Sequence, residues 1–253
     1  MNQQAKHPVR TTEKTLSIIE ELKRQNGARL TDLVDELDMG KSAIHNHLST
    51  LQEYGYVIQQ SDEYRLSLKF LDLGGYTRSK MDIYKISEPE VSKLAERSGE
   101  LVNLLVEENG KGVYLSRAKG DRAVDLDTYV GFSHHLHSSA LGKAILANLP
   151  RSRVLEIIEH HGLPEITPHT ITDRDELLDE LERTRERGFA VDDKERLEGL
   201  RCVAAPIRLE SNRIAAVSIS APKARMADDW ESNEYVTQVM KTANVIELNK
   251  YKV

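Results

Sequence analysis

Apolar positions in the first part of the chain recur every three or four residues, which predicts three short helices around one core. A first helix is expected over residues 12–25, with its core side on Leu16, Ile19 and Leu22. A second is expected over residues 30–37, with one apolar face: Leu30, Leu33, Val34 and Leu37. Asp38-Met39-Gly40 ends it, and a third helix follows with Ile44, Leu48 and Leu51 turned inward.

A change to strand-like composition follows the third helix. After Gly55, residues 56–60 and 63–66 are rich in β-formers and flank a polar Ser61-Asp62 turn, which predicts a hairpin. Two helices joined by a short turn and followed by a hairpin form a winged helix-turn-helix. The alternative is a small helical core with a solvated polar face, and the order of the elements favours DNA binding.

The outward face of the third helix carries short, hydrogen-bonding side chains. With Ile44 turned inward, Ser42, Asn46 and Ser49 point away from the core, with Lys41 and His45 on one flank. Asn pairs with adenine edges, Ser adapts to several bases, and Lys reaches guanine or phosphate. The predicted DNA contacts, including residues beside this helix, are Arg10, Thr31, Lys41, Ser42, Ala43, His45, Asn46, Ser49 and Arg65.

The formal net charge of −6 lies outside this predicted DNA-binding region. Residues 1–80 contain eleven Lys or Arg and eleven Asp or Glu, so the excess acidity belongs to the remainder of the 253 residues. A neutral DNA-binding region holds phosphates weakly and with a steep salt dependence. We therefore expect two copies to act together, as a homodimer or homotetramer on a near-palindromic double-stranded operator.

The segment after the hairpin is too apolar for a disordered linker. Residues 67–84 are predicted to form a linker helix weakened at Gly74-Gly75. This helix could pair with its counterpart in a second chain or pack on its own DNA-binding domain, and both alternatives remain open. The expected domains are 1–66, a winged helix-turn-helix, and 85–253, an effector-binding domain, joined by this helix.

Residues 85–253 mix helical and strand patterns, which indicates an α+β sheet domain. Helices are predicted at 88–97, 140–148, 151–160, 174–187 and 229–247. Strands are predicted at 101–106, 113–118, 124–130, 202–209 and 214–221.

Composition restricts the class of protein further. The polar first residues and the lack of an 18-residue apolar run predict neither a signal peptide nor a membrane span. Cys202 is the sole cysteine, which excludes an intrachain disulfide and a thiolate zinc cluster within one chain. We expect a cytoplasmic protein.

Three segments of the C-terminal region carry candidate chemistry. Residues 137–146 place two serines before a helix-forming run, as at a helix N-cap. Residues 187–202 combine a strand, paired acids and the lone thiol, and Ser218 and Ser220 project from one strand face. If these segments meet, they form a small polar cavity; otherwise they are a cap, a core cysteine and a solvated sheet face.

These motifs resemble the IclR family of transcriptional regulators over roughly residues 10–248. The matching stretches begin at Lys41-Ser-Ala-Ile-His, Leu51-Gln-Glu-Tyr-Gly-Tyr, His137-Ser-Ser-Ala-Leu-Gly-Lys, Arg187-Gly-Phe-Ala-Val-Asp-Asp, Gly199-Leu-Arg-Cys-Val and Ala215-Ala-Val-Ser-Ile-Ser. The resemblance implies a GAF-like α/β effector-binding domain and control of a catabolic operon by a sugar-derived or organic acid metabolite. By resemblance, the effector-binding residues are Ser139, Ala140, Leu141, Asp192, Cys202, Ser218 and Ser220. One difference is that the last motif often ends Ser-Gly-Pro, whereas this chain has Ser220-Ala221-Pro222.

Two other classes compete with a metabolite-controlled regulator. An enzyme would use Cys202 with a histidine and Asp192 or Asp193, but no nucleophile elbow, phosphate loop or dinucleotide motif occurs. We expect no catalytic residue and no cofactor. A zinc-sensing regulator would use His134, His135 and His137, of which His135 and His137 share one face of a strand. This metal alternative is retained, although the favoured reading assigns no metal ligand.

Overall fold

The computed structural model describes residues 6–210, 213–227, 229–230 and 232–249. The chain divides into two compact units, of which one ends at Arg78 and the other begins at Ser79. Among the residues described, no helix is both long and apolar enough to cross a membrane.

The N-terminal unit contains four helices and a small sheet within its described residues. The helices are α1 (Arg10–Arg24), α2 (Leu30–Glu36), α3 (Lys41–Glu53) and α4 (Lys69–Ser79). The strands are β1 (Ala28–Arg29), β2 (Val57–Gln60) and β3 (Glu63–Leu66). The predicted hairpin is confirmed as β2–β3, with Ser61 at a positive φ in its turn. The two-residue strand β1, which was not predicted, adds to β3.

The core of this unit confirms the inward faces of α2 and α3 but corrects that of α1. Leu33, Ile44 and Leu48 are fully buried. In α1, Leu22 is buried and Ile19 packs partly buried against the core, as predicted, but Ile18 is buried and Leu16 is 56% exposed. Ile18 and Leu22 are four residues apart and share a helix face, and that phase turns Leu16 outward.

The predicted linker helix is present as two helices rather than one. Helix α4 continues through Gly74-Gly75, where nothing lies within 4 Å of an added Cβ. The interruption falls instead after Ser79, and α5 (Asp82–Ser98) begins there. None of the described side chains of α4 is buried. The glycines lower helix propensity without ending the helix, because propensity is weaker than the local context.

The C-terminal unit is built on a six-stranded antiparallel sheet with the order β6-β5-β4-β9-β8-β7. The strands are β4 (Leu101–Glu108), β5 (Lys111–Lys119), β6 (Ser133–His135), β7 (Ala190–Asp193), β8 (Leu200–Arg208) and β9 (Ile214–Pro222). The remaining helices are α6 (Ala140–Leu146), α7 (Arg151–His161), α8 (Arg174–Arg187) and α9 (Glu234–Asn249). Residues 211 and 212, which join the strands predicted at 202–209 and 214–221, lie outside the described residues.

One predicted strand is absent. Residues 124–130 form a loop, and the strand that pairs with β5 is the later segment β6. Gly131 adopts φ +89° and donates its N–H to the Tyr114 carbonyl, so the chain turns before pairing begins. The abundance of β-forming residues could not reveal this turn, because strand pairing depends on which part of the segment reaches β5 in the fold.

The two faces of the large sheet pack against different helices. One face and helices α5 and α9 form an apolar core that includes Val102, Leu104, Val203, Val217 and Ile219. The other face packs with α6, α7 and α8, and its apolar residues include Leu105, Ala204 and Ala216. Polar side chains interrupt this second face, and they position the candidate site.

Candidate functional site

The predicted recognition face of α3 is exposed. Lys41, Ser42, His45, Asn46 and Ser49 are all exposed, on a helix whose opposite side is anchored by Ile44, Leu48 and Leu51. Ala43 is half-buried. Helix α3 is also fixed to α1, since His47 Nδ1 lies 2.8 Å from Thr15 Oγ1. The structure therefore brings the predicted base-reading residues together on a rigid helix.

The other predicted DNA contacts lie on neighbouring elements. Arg10 begins α1, Thr31 lies in the first turn of α2, and both are exposed. Arg65, on β3, forms an exposed ion pair with Glu63 at 2.9 Å. An exposed pair of this kind contributes little to stability. Sequence reasoning did not include Arg29, which lies next to the wing and pairs with Asp62 at 3.0 Å.

In the C-terminal unit, the strand register places polar side chains in two adjacent rows on one face of the sheet. Asn103 on β4 is aligned with Arg117 on β5 and with Ser218 on β9. Two residues along, Ser220 is aligned with Cys202 on β8, and Cys202 with Asp192 on β7. Four of the residues predicted to bind an effector are therefore neighbours in one sheet.

Cys202 is a buried thiol rather than an activated nucleophile. Its Sγ donates to Ser220 Oγ at 3.1 Å. Burial raises the pKa of the Cys202 thiol, and the nearby Asp192 raises it further, so the thiol stays protonated. A protonated thiol in this setting can donate a hydrogen bond but cannot attack a substrate.

Asp192 belongs to a buried cluster with Glu195 and Lys143. Asp192 Oδ1 accepts the Glu195 backbone N–H at 2.7 Å, and Lys143 Nζ donates to Glu195 Oε1. Burial, and next the charge of Glu195, raise the pKa of Asp192 to about 7. Burial also raises the pKa of Glu195, against the effect of Lys143. Lys143 thus bonds to Glu195, and its charge also acts on Asp192 and Glu180.

The loop that carries Glu195 is held in place by two threonines. Thr170 Oγ1 donates to the Glu195 carbonyl at 2.6 Å, and Thr167 Oγ1 donates to the Lys194 carbonyl at 2.7 Å. Both threonines are almost fully buried. These bonds hold the backbone immediately before Arg196.

The start of α6 reaches the same region through Ser139. Ser139 Oγ accepts the Gly142 N–H at 3.1 Å, which confirms the predicted N-cap, and lies 2.9 Å from His134 Nε2. A Cβ on Gly142 would lie 1.9 Å from the Leu136 carbonyl oxygen, so only glycine permits this approach. Ala140 and Leu141 are buried in the apolar core beneath α6.

The hydrogen bonds around Ser139 favour one tautomer of His134. Burial, and next the charge of Arg196, lower the pKa of His134 well below its ordinary value, so the ring is neutral. If Ser139 donates its hydroxyl hydrogen to Nε2, the ring carries its proton on Nδ1. The other tautomer would leave both the Ser139 hydroxyl hydrogen and Nδ1 without a partner. The favoured form therefore has His134 Nδ1–H as a donor.

A cavity of about 370 Å³ adjoins these polar residues. Its lining is largely apolar and includes Leu126, Phe132, Ile166, Leu197 and Leu200. His134, Ser138 and Arg196 supply polar lining. Tyr114 stacks on His134, with ring centroids 5.1 Å apart. This volume is in the range of small-molecule pockets.

Several buried polar atoms in this unit have no hydrogen-bond partner within the described part of the chain, and of their residues His134 lines the cavity. These atoms include Arg117 Nη2, His134 Nδ1, Asp192 Oδ2, Glu195 Oε2 and Ser218 Oγ. Buried polar groups are ordinarily paired, and an unpaired one costs about 1–3 kcal/mol. These residues are therefore candidates for contacting a polar ligand.

Sequence reasoning missed Tyr114, Arg117, His134 and Arg196 as parts of this site. His134 had been considered only as a metal ligand, and the two arginines carry no local motif. They join Asp192 and Ser218 only through strand register and one loop. No signal in a single sequence could have found the arginines.

The histidines do not form the metal site that was considered. Strand β6 ends at His135, and His137 lies in a short 3-10 turn, so no strand alternation relates them. His137 Nε2 lies 3.1 Å from the Pro164 carbonyl, while His134 contacts Ser139 instead. Among the described residues, no group of three or more His, Cys, Asp or Glu could hold a metal ion. The zinc-sensing alternative therefore has no support.

The winged helix and the sheet domain with its cavity define a class, that of DNA-binding regulators with a separate ligand-binding domain. Models of the "IclR helix-turn-helix domain" and of the "Bacterial transcriptional regulator IclR C-terminal" match residues 11–61 and 76–248. The chain belongs to the IclR family of transcriptional regulators. Proteins of this family are regulators rather than enzymes, and they bind DNA and, in the C-terminal domain, small-molecule effectors.

Individual relatives agree with this assignment along nearly the whole chain. The chain is 34% identical to the "Probable HTH-type transcriptional regulator ArcR" of Halobacterium salinarum, covering 92% of this chain and 90% of that protein. It is 30% identical to the HTH-type transcriptional regulator XynR of Escherichia coli, covering 92% and 94%. The crystal structure of the Thermotoga maritima IclR is similar at a TM-score of 0.77 and 27% identity, covering 95% of this chain and 98% of that one.

Proposed function

We propose that this regulator controls a catabolic operon in the cytoplasm by binding a near-palindromic operator, in response to a sugar-derived or organic acid metabolite. The observations that support the metabolite-sensing role are the 370 Å³ cavity, which His134 lines, and the unpaired buried polar atoms of the same unit. A ligand that satisfies these atoms gains hydrogen bonds that the empty domain cannot make.

The proposed DNA contacts divide into base-reading and phosphate-binding groups. Asn46, Ser42 and Ser49 face outward from α3 and supply hydrogen bonds to base edges. Lys41 and His45 lie on the same exposed helix, and Ala43 supplies an apolar contact. Arg10, Thr31 and Arg65 lie on other exposed positions of the unit and position it on the backbone.

The proposed effector contacts retain the seven residues inferred from the family resemblance, with different roles. Asp192, Ser218, Ser220 and Cys202 provide polar groups on the sheet. Ser139 acts through His134, since the two are hydrogen bonded. Ala140 and Leu141 form the apolar support under them.

We propose that the protein acts as a homodimer or homotetramer. Leu68, Leu71 and Tyr76 are 80%, 70% and 65% exposed on or beside α4. An apolar helix surface of this kind is typical of an interface. The proposed division into residues 1–66, 67–84 and 85–253 places this surface in the linker. Replacing Leu68 and Leu71 by Ser should lower the molecular mass in sedimentation, whereas Leu248→Ser, at a position of α9 where the side chain is 66% exposed, should not.

One experiment with two arms tests the function. Selection from a random duplex library with the wild-type protein should yield a near-palindromic sequence. Asn46→Ala should bind that sequence with about 1–3 kcal/mol less discrimination against base changes, whereas Ser17→Ala, exposed on α1, should not. Loss of selectivity in both variants, or in neither, would contradict the assignment of Asn46.

The second arm tests the sensor. Metabolites that shift the melting temperature of the wild-type protein are added to the selected DNA complex. A matching effector should change DNA affinity, because it binds one state of the protein better than the other. The double variant Ser218→Ala, Ser220→Ala should keep DNA binding and lose the response. A normal response in that variant would exclude the proposed site.

A further inference from the structure

The recognition helix α3 ends in a turn that closes its own N–H groups. Gly55 adopts φ +74° and donates its N–H to the Gln52 carbonyl at 2.9 Å, and Tyr56 donates to the Leu51 carbonyl at 2.8 Å. This pair of bonds is a Schellman motif, which ends a helix at a left-handed residue. The carbonyl groups of the turn, from Tyr54 to Tyr56, must find their partners elsewhere in the chain.

All three of these carbonyl groups accept a hydrogen bond from the segment that begins α4. Lys69 Nζ donates to the Tyr54 carbonyl at 2.7 Å. Ser67 Oγ donates to the Gly55 carbonyl at 2.5 Å, and the Ser67 N–H donates to the Tyr56 carbonyl at 2.9 Å. Ser67 Oγ also accepts the Lys69 N–H at 3.1 Å. The end of α3 is thus bonded directly to the start of α4, and we call these five residues the α3–α4 junction.

The ammonium group of Lys69 has further contacts in this junction. It lies 4.5 Å from the centre of the Tyr56 ring, and Phe70 packs edge-on against the same ring with ring centres 5.4 Å apart. Tyr56 in turn packs against the apolar core of the N-terminal unit. A cation at the last carbonyl groups of a helix also faces the negative end of the helix dipole. The lysine is therefore held by a carbonyl group and a ring, although it is exposed.

Helix α4 has no buried face of its own among the described residues. A helix in a protein is ordinarily held by packing of an apolar face, so the bonds at the first turn of α4 weigh more in setting its direction. The proposed interface with a second copy lies on and beside this helix, at Leu68, Leu71 and Tyr76. The α3–α4 junction therefore connects the recognition helix to the helix that carries the proposed interface.

We infer, on the basis of the proposed dimeric complex with a near-palindromic operator, that Ser67 and Lys69 are positioning residues for DNA recognition, because they set the angle between α4 and α3. In a symmetric dimer this angle is repeated in both copies, so it fixes the distance between the two recognition helices. That distance determines which spacing of half-sites is bound best. Neither residue needs to touch DNA in this role.

Duplexes that carry two selected half-sites at variable spacing test the consequence for DNA binding. The full-length wild type should favour one spacing over its neighbours by roughly tenfold, because the half-site distance is a geometric property of the dimer. The double variant Ser67→Ala, Lys69→Met should lose most of this preference and still bind a single half-site with wild-type base selectivity. Lys69→Arg, which keeps the donor and the charge, should restore the preference. Lys93→Met, at an exposed lysine of α5, should behave as the wild type does.

A distance measurement tests the junction without DNA. Nitroxide labels at Ser17→Cys on α1 and Thr77→Cys on α4, both exposed positions, report the direction of α4 in the full-length protein with Cys202→Ala. Labelled chains diluted into an excess of unlabelled protein give the distance within one chain. Pulsed electron paramagnetic resonance should show a narrow distance distribution when Ser67 and Lys69 are present. The double variant at these two positions should lose the narrow peak.

The inference is overturned if the double variant keeps the spacing preference of the wild type or the narrow distance distribution. It is also overturned if Lys69→Met weakens binding at all spacings alike and lowers the salt slope by about one while Ser67→Ala changes nothing, since Lys69 would then be a phosphate contact. Failure of the proposed function has a different signature. A wild type that binds one half-site as tightly as two would exclude the near-palindromic operator, and the distance distribution alone would then decide whether the junction orients α4.

Discussion

The candidate functional polar residues of the N-terminal unit lie on its surface, whereas most of those of the C-terminal unit lie inside it. Asn46 and its neighbours on α3 are exposed around an apolar core, and water satisfies them when DNA is absent. Asp192 and Ser218 are nearly inaccessible, and each has an atom without a partner among the described residues. This contrast is expected if the N-terminal unit binds DNA on its surface and the C-terminal unit encloses a small molecule.

This difference determines the energetic role of each charged group. The exposed pair Arg29–Asp62 is screened by water and contributes about 0–1 kcal/mol. The pair Lys143–Glu195 has side chains only 2% and 9% exposed. Replacing an exposed charge in the N-terminal unit should therefore affect binding with little effect on stability. Replacing a buried charge in the C-terminal unit should also destabilise the domain.

The largest contrast should appear when one member of each ion pair is removed. Lys143→Met leaves Glu195 buried without its cation and should lower the free energy of unfolding by about 3–5 kcal/mol. Arg29→Met should lower it by less than about 1 kcal/mol. Urea unfolding of both variants measures the difference. Similar losses for the two would mean that the lysine is hydrated in solution.

Two glycines provide a second contrast, based on space rather than charge. Gly142→Ala places a Cβ against the Leu136 carbonyl and should cost about 1–3 kcal/mol through overpacking. Gly74→Ala, in α4, has open space and should stabilise that helix by up to about 1 kcal/mol. Thermal unfolding should therefore shift in opposite directions. A stabilised Gly142→Ala would show that α6 is not held against Leu136.

The pH dependence of stability should distinguish two adjacent acids. Asp192 has a pKa raised to about 7, so its contribution to stability is lost as pH rises from about 4 to 7. Asp192→Asn should remove that loss, gaining on the order of 2 kcal/mol over the wild type between pH 5 and pH 8.

Asp193 is the matched control for this measurement. Its hydrogen bond with Arg201 lowers its pKa, so its contribution is constant between pH 5 and pH 8 and is lost only in stronger acid. Asp193→Asn should therefore leave the slope of stability against pH unchanged in this range. Equal slopes for wild type and Asp192→Asn would show that Asp192 is ionised throughout.

The smallest effect is expected at the DNA surface. Lys41→Ala should weaken binding of all sequences alike and reduce the slope of log affinity against log salt by about one. Its unfolding free energy should stay within about 0.5 kcal/mol of the wild type, since Lys41 is exposed. An unchanged salt slope would exclude Lys41 as a phosphate contact.

The elements that sequence periodicity predicted well are those whose pattern is local. The helices α2, α3, α7 and α8 and the β2–β3 hairpin follow from apolar spacing and turn residues. The strand expected at residues 124–130 and the inward position of Leu16 were wrong, because both depend on the neighbour that the segment meets. The proposed seven-residue effector set came from family motifs, and its residues await the tests above.

The sequence by itself determined the family, the winged helix and the presence of a second α+β domain, because helical spacing, turn chemistry and family motifs are properties of contiguous residues. Tertiary structure decided which polar residues share the candidate effector site. Arg117, His134, Asp192, Arg196 and Ser218 are separated along the chain and meet only through antiparallel register and the loop held by Thr167 and Thr170. Strand register and burial depend on contacts between residues that are far apart in the sequence. They leave these buried polar atoms without a partner among the described residues.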